Sequence, residues 1–296
     1  MQTVPAKSIL SPYRETGWFG SNYTANLYRG CSHACIYCDS RSSCYRVEEF
    51  ETVRAKENAV GILERELAAK RRRGGLILTG AMGDPYNPYE PEAELTRTFL
   101  RLTDRYGFSV MLITKSAAVC RDADLLSPAV RRTFAAVGIT ITAADDTLGR
   151  KIEPQVSLSS ERFEALEKLA GQNVCCGVLL MPVLPFITDT KENIVGIVER
   201  AADAGAAFVY AGEQFAVSLR DRQREYYYQQ LDQTFPGIRE RYEKTFGDQY
   251  WCCSPDASLQ DAFVRACRRS GIQFRHDDIA NRVSGRPADI QTKLPD

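Results

Sequence analysis

Three cysteines, Cys31, Cys35 and Cys38, stand in a C-x3-C-x2-C run inside the segment Gly30-Cys31-Ser32-His33-Ala34-Cys35-Ile36-Tyr37-Cys38. Thiolates this close converge on an electrophile or pair with one another. The spacing suits three corners of an iron–sulfur cluster whose fourth iron stays open, because such clusters are held by cysteines on short loops. An open iron is a place for chemistry as well as for electron storage. The alternative is a zinc site made of these three with Cys44, or one that uses His33. Structural zinc sites usually pair C-x2-C with a second distant pair, and here Cys252 and Cys253 are adjacent, a poor chelating geometry. A non-catalytic zinc-binding module is therefore the rival from a different functional class.

Counts narrow the setting. Lys plus Arg and Asp plus Glu are both 38, so the formal net charge is zero and gives no global pull toward nucleic acid or an anionic membrane. Only two histidines occur, His33 and His276, which excludes a His-rich metal centre. The ten cysteines are not spread like a secreted disulfide framework. No signal-peptide pattern stands at the N-terminus, and no apolar run approaches the roughly 20 residues of a membrane span. A cytoplasmic protein is expected, where clustered cysteines serve metals or redox chemistry.

The elements that must hold the loop alternate. Short apolar strand runs at 23–28, 76–79, 108–114, 137–142, 174–181 and 207–211 are separated by helical patterns at 53–73, 91–106, 123–126, 159–170 and 190–204. Six strands with crossover helices predict an α/β fold with a parallel sheet. No dinucleotide fingerprint follows any of these strands, which favours a barrel over an open nucleotide-binding sheet. The cysteine loop follows the first strand and so falls at the functional, C-terminal end. Residues 1–22 read as an N-terminal extension, 23–217 as the core barrel and 218–296 as a helical C-terminal cap, with helices expected near 221–231, 237–246 and 258–270. The cationic run 70–73 reads as a solvated helix end.

At this point a family resemblance is visible. The cysteine loop, its place after the first strand and Tyr37 before the last cysteine resemble the radical S-adenosylmethionine (SAM) superfamily. The segments Asn26-Leu27-Tyr28-Arg29-Gly30-Cys31, Gly83-Asp84-Pro85-Tyr86-Asn87-Pro88, Thr114-Lys115-Ser116 and Glu153-Pro154 look like its spore photoproduct lyase-like branch, often labelled DNA repair photolyase. The resemblance spans about residues 20 to 215. It implies a partial (β/α)6 TIM-type barrel, a [4Fe-4S] cluster on Cys31, Cys35 and Cys38, and SAM on the fourth iron. One-electron cleavage of the sulfonium would then yield a 5′-deoxyadenosyl radical for hydrogen abstraction from a substrate. A small flavodoxin- or ferredoxin-like electron donor is implied as partner.

The resemblance also suggests roles beside the cluster, each with a plainer alternative. Tyr37 offers a ring to adenine, or packs in the core. Gly83 and Asp84 end the second strand, where carbonyls and the carboxylate would accept the methionine amino group, or they simply form a turn. Lys115 and Ser116 end the third strand, and Lys115 would meet the methionine carboxylate. Thr140, which shares a face with Thr142, would reach the ribose or substrate, or is a good strand former. Glu153 and Arg162 would shape the cofactor pocket, or form a surface ion pair. Cys175 or Cys176 is a candidate hydrogen-atom donor, or a small hydrophobe. The spore enzyme carries a donor thiol near the end of its second strand. The matching stretch Gly80-Ala81-Met82-Gly83 has none, which argues against thymine-lesion repair.

Overall fold

Residues 1–13, 15, 17–70 and 74–284 are described by the structure, a computed structural model. The chain starts with two short strands, β1 (Gln2–Val4) and β2 (Leu10–Pro12), followed by β3 (Tyr23–Ala25) and β4 (Tyr28–Arg29). After the cysteine loop come β5 (Arg54–Lys56) and helix α1 (Ala59–Ala68). The helix is shorter than the periodicity predicts. Residues 54–56 pair with β1 on one side and β4 on the other, and Asn58 turns into the left-handed region at φ 51° just before the helix. Lys70 lies beyond the helix with its ammonium 4.4 Å from the Tyr23 ring centre; the rest of the cationic run, 71–73, lies outside the described residues.

The alternation then proceeds. β6 (Leu76–Thr79) leads through α2 (Glu90–Ala93) and α3 (Leu95–Arg105) to β7 (Ser109–Thr114). Then follow α4 (Ala123–Leu126), β8 (Ala135–Thr140), α5 (Asp146–Ile152), α6 (Ser159–Gly171), β9 (Cys175–Leu179), α7 (Lys191–Asp203) and β10 (Phe208–Tyr210). The seven-stranded sheet has the order β10-β9-β8-β7-β6-β3-β2. Its six strands from β3 to β10 are parallel neighbours, as expected, and β2 joins antiparallel at the β3 edge. The α/β fold with a parallel sheet and crossover helices agrees with a partial barrel.

Strand alternation makes two apolar layers. Leu78, Met111, Ala136 and Leu179 face one side, packed with Phe19, Tyr210, Ile279 and Val283. Ile77, Leu112, Val137 and Val178 face the other and meet the helices through residues such as Leu166 and Ile197. Expected and observed helices also agree C-terminally, with additions. β11 (Ala216–Ser218) precedes α8 (Asp221–Thr234) and α9 (Ile238–Phe246), and pairs antiparallel with β12 (Trp251–Cys253). α10 (Ser258–Arg269) packs on α7, and α11 (His276–Val283) packs against the turn Trp18–Gly20. The elements after β10 thus lie at three places around the α/β core. Among the described residues no helix is long and apolar enough to cross a membrane.

Candidate active site

A cleft of about 390 Å³ opens at the C-terminal ends of β6, β7 and β8. Of the residues expected at a cofactor, Cys31, Cys35, Cys38, Gly83, Asp84, Lys115 and Thr140 line it, together with His33 and Phe50. Tyr37, Ser116, Glu153 and Arg162 do not.

The loop that carries the thiols is held by its backbone. Cys31 N–H donates to the Phe50 carbonyl (2.8 Å), Ile36 N–H to Ile152 (3.0 Å) and Gln155 N–H to the His33 carbonyl (3.3 Å). Gly30 begins the loop at φ +83°, and a Cβ there would come within 2.3 Å of the Thr52 carbonyl oxygen, so glycine is required on both counts. The start of α8 closes over the far side. The Gln223 amide, fully buried, donates to the Tyr37 carbonyl (3.1 Å). Asp221 accepts from the hydroxyls of Ser42 (2.8 Å) and Ser43 (2.7 Å), Arg222 donates to the carbonyls of Arg41 and Val47, and Arg220 pairs with Asp39 (2.6 Å).

The loop after β6 leans on the cysteine loop. A Cβ on Gly83 would lie 2.8 Å from the Gly30 carbonyl oxygen. Gly83→Ala is therefore expected to push the two loops apart at a cost of about 1–3 kcal/mol. Iron per chain after anaerobic reconstitution should fall well below wild type; full loading would show that the contact yields freely.

Asp84 is committed to the protein. One carboxylate oxygen accepts from Tyr86 N–H (2.9 Å) and the Thr114 hydroxyl (2.7 Å), the other from Lys115 N–H (2.7 Å), with His33 Nδ1 at 3.5 Å. It is a turn former and a clamp between β6 and β7 at once. Lys115 turns its ammonium toward the cleft, 5.8 Å from the Tyr37 ring centre, and makes no ion pair among the described residues. Burial would lower its pKa, but Cys35, Glu153, Cys38 and Asp84 outweigh that and raise it.

Behind the cleft lies a buried network. The Tyr37 hydroxyl donates to Glu153, whose other oxygen pairs with Arg162 Nη2 at 2.6 Å, both side chains being 1% exposed. Arg162 also donates to the carbonyls of Thr140 and Ser157, each at 2.8 Å, and Thr142 donates to Glu153 at 3.2 Å. Burial pushes the Glu153 carboxyl up; Arg162, Lys115 and Tyr37 more than reverse this and hold it below its ordinary value. The pair is therefore no surface ion pair; it fixes the ring of Tyr37 and the end of β8 from below. Ser116 is likewise turned away: its hydroxyl accepts from Ala118 N–H and caps the turn Ala117–Asp122.

Neither candidate hydrogen donor reaches the cleft. Cys176 packs in the helix-facing layer with Sγ 3.6 Å from the Leu166 carbonyl. Cys175 is on the same side as the cleft but opposite Ala136, at the other end of the strands from Thr140. The sequence reading missed Phe50 and the entire α8 clamp. His33, between the first two cysteines in the chain and named from the sequence only as a ligand of the alternative zinc site, lines the cleft.

Burial raises the pKa of all three thiols, Cys31 to about 11 and Cys35 well above its ordinary value. Lys115 pulls Cys35 and Cys38 the other way. Soft thiols gathered round one cleft, unfavourable as isolated anions, suit a bond to metal that enforces ionisation. Among the described residues no three Cys, His, Asp or Glu side chains are gathered tightly enough for a single metal ion; the thiols share a cleft rather than meet at a point.

Comparison with known proteins extends this picture. The family model of the radical SAM superfamily matches residues 25–206. The uncharacterized protein Rv2578c of Mycobacterium tuberculosis is 27% identical over 249 residues, covering 82% of this chain and 72% of the relative. The uncharacterized protein MJ0683 of Methanocaldococcus jannaschii is 30% identical over 196 residues, covering 65% of this chain and 71% of the relative. Among solved structures, spore photoproduct lyase complexed with dinucleoside spore photoproduct superimposes with a TM-score of 0.63 at 14% identity, over 88% of this chain and 78% of that one. A variant of that lyase with bound AdoMet and dinucleoside spore photoproduct gives 0.64 at 15% identity, over 88% and 78%. At such identity the likeness is one of fold.

Proposed function

The chain belongs to the radical SAM superfamily and is an enzyme, and we propose on that premise that Cys31, Cys35 and Cys38 hold a [4Fe-4S] cluster with SAM bound beside it. When bound, this pair supplies reductive cleavage of the sulfonium and a 5′-deoxyadenosyl radical that takes a hydrogen atom from substrate. The observation that carries the reading is that three thiols, Cys35 buried and Cys31 and Cys38 half-buried, share one cleft at the C-terminal end of a parallel sheet with Lys115 and the Gly83 turn.

The chain's own groups have distinct tasks in this reading. Lys115, without a protein carboxylate as partner, meets the methionine carboxylate. Asp84 holds the Lys115 backbone and leaves the amino group to carbonyls of the Gly80 to Gly83 turn. Thr140 presents its hydroxyl from the floor of the cleft. Glu153 and Arg162 set the position of Tyr37 from behind, so any role of that ring toward adenine depends on them. The partner is a small one-electron donor of the flavodoxin or ferredoxin kind.

The test is anaerobic reconstitution followed by reduction with SAM present. Wild type should bind four irons and four sulfides per chain and release 5′-deoxyadenosine; a variant with all three cysteines changed to Ala should do neither. A colourless protein that holds zinc instead would overturn the reading. The narrower reading, a lyase for a thymine photoproduct, is supported by fold similarity alone, and the thiol-free Gly80 to Gly83 stretch stands against it. Offering the dinucleoside photoproduct and looking for restored thymines decides it.

A further inference from the structure

Arg41 closes the short 3-10 turn Asp39–Arg41 that follows Cys38. It is charged yet only 7% exposed. Its guanidinium carbon lies over two rings, 3.8 Å from the Tyr226 centre and 5.3 Å from that of Phe50. Nη1 meets the carboxylate of Glu51, which is more than half exposed. Nε and Nη2 are buried and have no hydrogen-bond partner among the described residues, and no other described side chain has two such atoms. These cation–π contacts compensate part of the charge. They do nothing for N–H groups that point outward in the plane, and burying such donors unpaired is costly.

The surroundings show what these donors face. Phe50 lines the cleft with the three cysteines. Tyr226 is near enough to Cys35 and Cys38 for their charges to act on its phenol. Burial pushes the Cys38 thiol up, and the Lys115 and Arg41 cations pull it down. The Arg41 backbone is itself fixed, its carbonyl accepting from Arg222 Nε at 2.7 Å. A buried cation with two idle donors thus stands next to the third thiol, pinned by α8.

We propose, resting on the cluster reading above, that Arg41 sets the reduction potential of the centre: its unpartnered N–H groups donate to sulfur acceptors on the Cys38 side, and its charge favours the reduced cluster. The step concerned is uptake of one electron from a low-potential one-electron reductant, which leaves the cluster one unit more negative. Hydrogen bonds to cluster sulfurs and nearby charge are the levers by which a protein tunes such a couple. Both act here in the direction of easier reduction.

The test is an anaerobic redox titration with titanium(III) citrate, read by electron paramagnetic resonance on the reconstituted full chain, with iron counted in each sample. In Arg41→Gln the equilibrium constant for reduction should fall about tenfold, which is about 59 mV to lower potential for one electron. Arg41→Lys keeps the charge and should recover part of the shift. Glu51→Gln, a change on an exposed side chain, should move the potential upward, and by less when Arg41 is already Gln. Arg41→Gln with full iron and an unchanged potential overturns the proposal. If Arg41→Gln does not load a cluster, Glu51→Gln decides, and no upward movement overturns it. A wild-type chain that binds no four-iron cluster overturns the functional reading, and this inference with it; an unchanged Arg41→Gln beside a loaded wild type overturns this inference alone.

Discussion

Glu153→Ala is expected to destabilise the chain by about 3–5 kcal/mol, the range for removing one partner of a buried ion pair. The substitution leaves the Arg162 guanidinium at 1% exposure with carbonyl partners but no counter-charge, and it takes the acceptor from the Tyr37 hydroxyl. Urea unfolding of the metal-free chain measures the loss without reference to any cluster. Glu153→Gln keeps the shape and one acceptor oxygen and should lie between the two. A double change, Glu153→Leu with Arg162→Met, should cost less than Glu153→Ala alone, because it removes both charges together. If the single and double changes cost the same, the pair is not what holds this region.

The sign of the pH effect follows from the same contacts. The Glu153 carboxyl is held below its ordinary value of 4.5, since Arg162, Lys115 and Tyr37 overcome the effect of burial. A depressed carboxyl contributes stability that is complete above the ordinary value and is lost as pH falls through the depressed one. Acid should therefore weaken the wild type more steeply below about pH 4 than it weakens Glu153→Gln.

Much of this was legible locally. The strand runs at 76–79 and 108–114, and the helix opened by Ser159, needed only period and caps, and Glu161 does accept from the Leu158 N–H at the start of α6. The place of the C-x3-C-x2-C run after a strand puts the three cysteines at the C-terminal end of the sheet, where the cleft opens. What could not be read depends on partners far away in the chain. Residues 54–56 look helical alone and become a strand because residues 2–4 arrive beside them. The clamp from Asp221 and Arg222 to Ser42, Ser43 and Arg41 spans some 180 positions and has no local pattern. For Glu153 and Arg162, nine positions apart, the sequence leaves a pocket-shaping pair and a surface ion pair both open, because nothing in their own segment announces that Tyr37 and β8 bury them. Nothing local announces the burial of Arg41 either.

Asp84 is the residue whose meaning the three-dimensional contacts change most. A carboxylate after the second strand is a natural candidate for the amino group of a ligand, yet both its oxygens already serve Tyr86, Thr114 and Lys115. Asp84→Ala would leave two backbone N–H groups and one hydroxyl without their acceptor in a buried setting, and each orphaned donor costs about 1–3 kcal/mol. A loss of roughly 3 kcal/mol or more in urea unfolding is expected. Asp84→Asn can still serve one set with its amide oxygen and should lose less. The consequence for the site is separable from stability. Lys115 owes its backbone position to Asp84, so under conditions where Asp84→Asn is fully folded, SAM binding should weaken while iron loading persists, as the thiols are held by other segments. If SAM binding by the folded, iron-loaded Asn variant equals wild type, Asp84 does not position Lys115 for the cofactor. If binding is abolished outright and restored stability does not recover it, the carboxylate itself is a direct ligand contact.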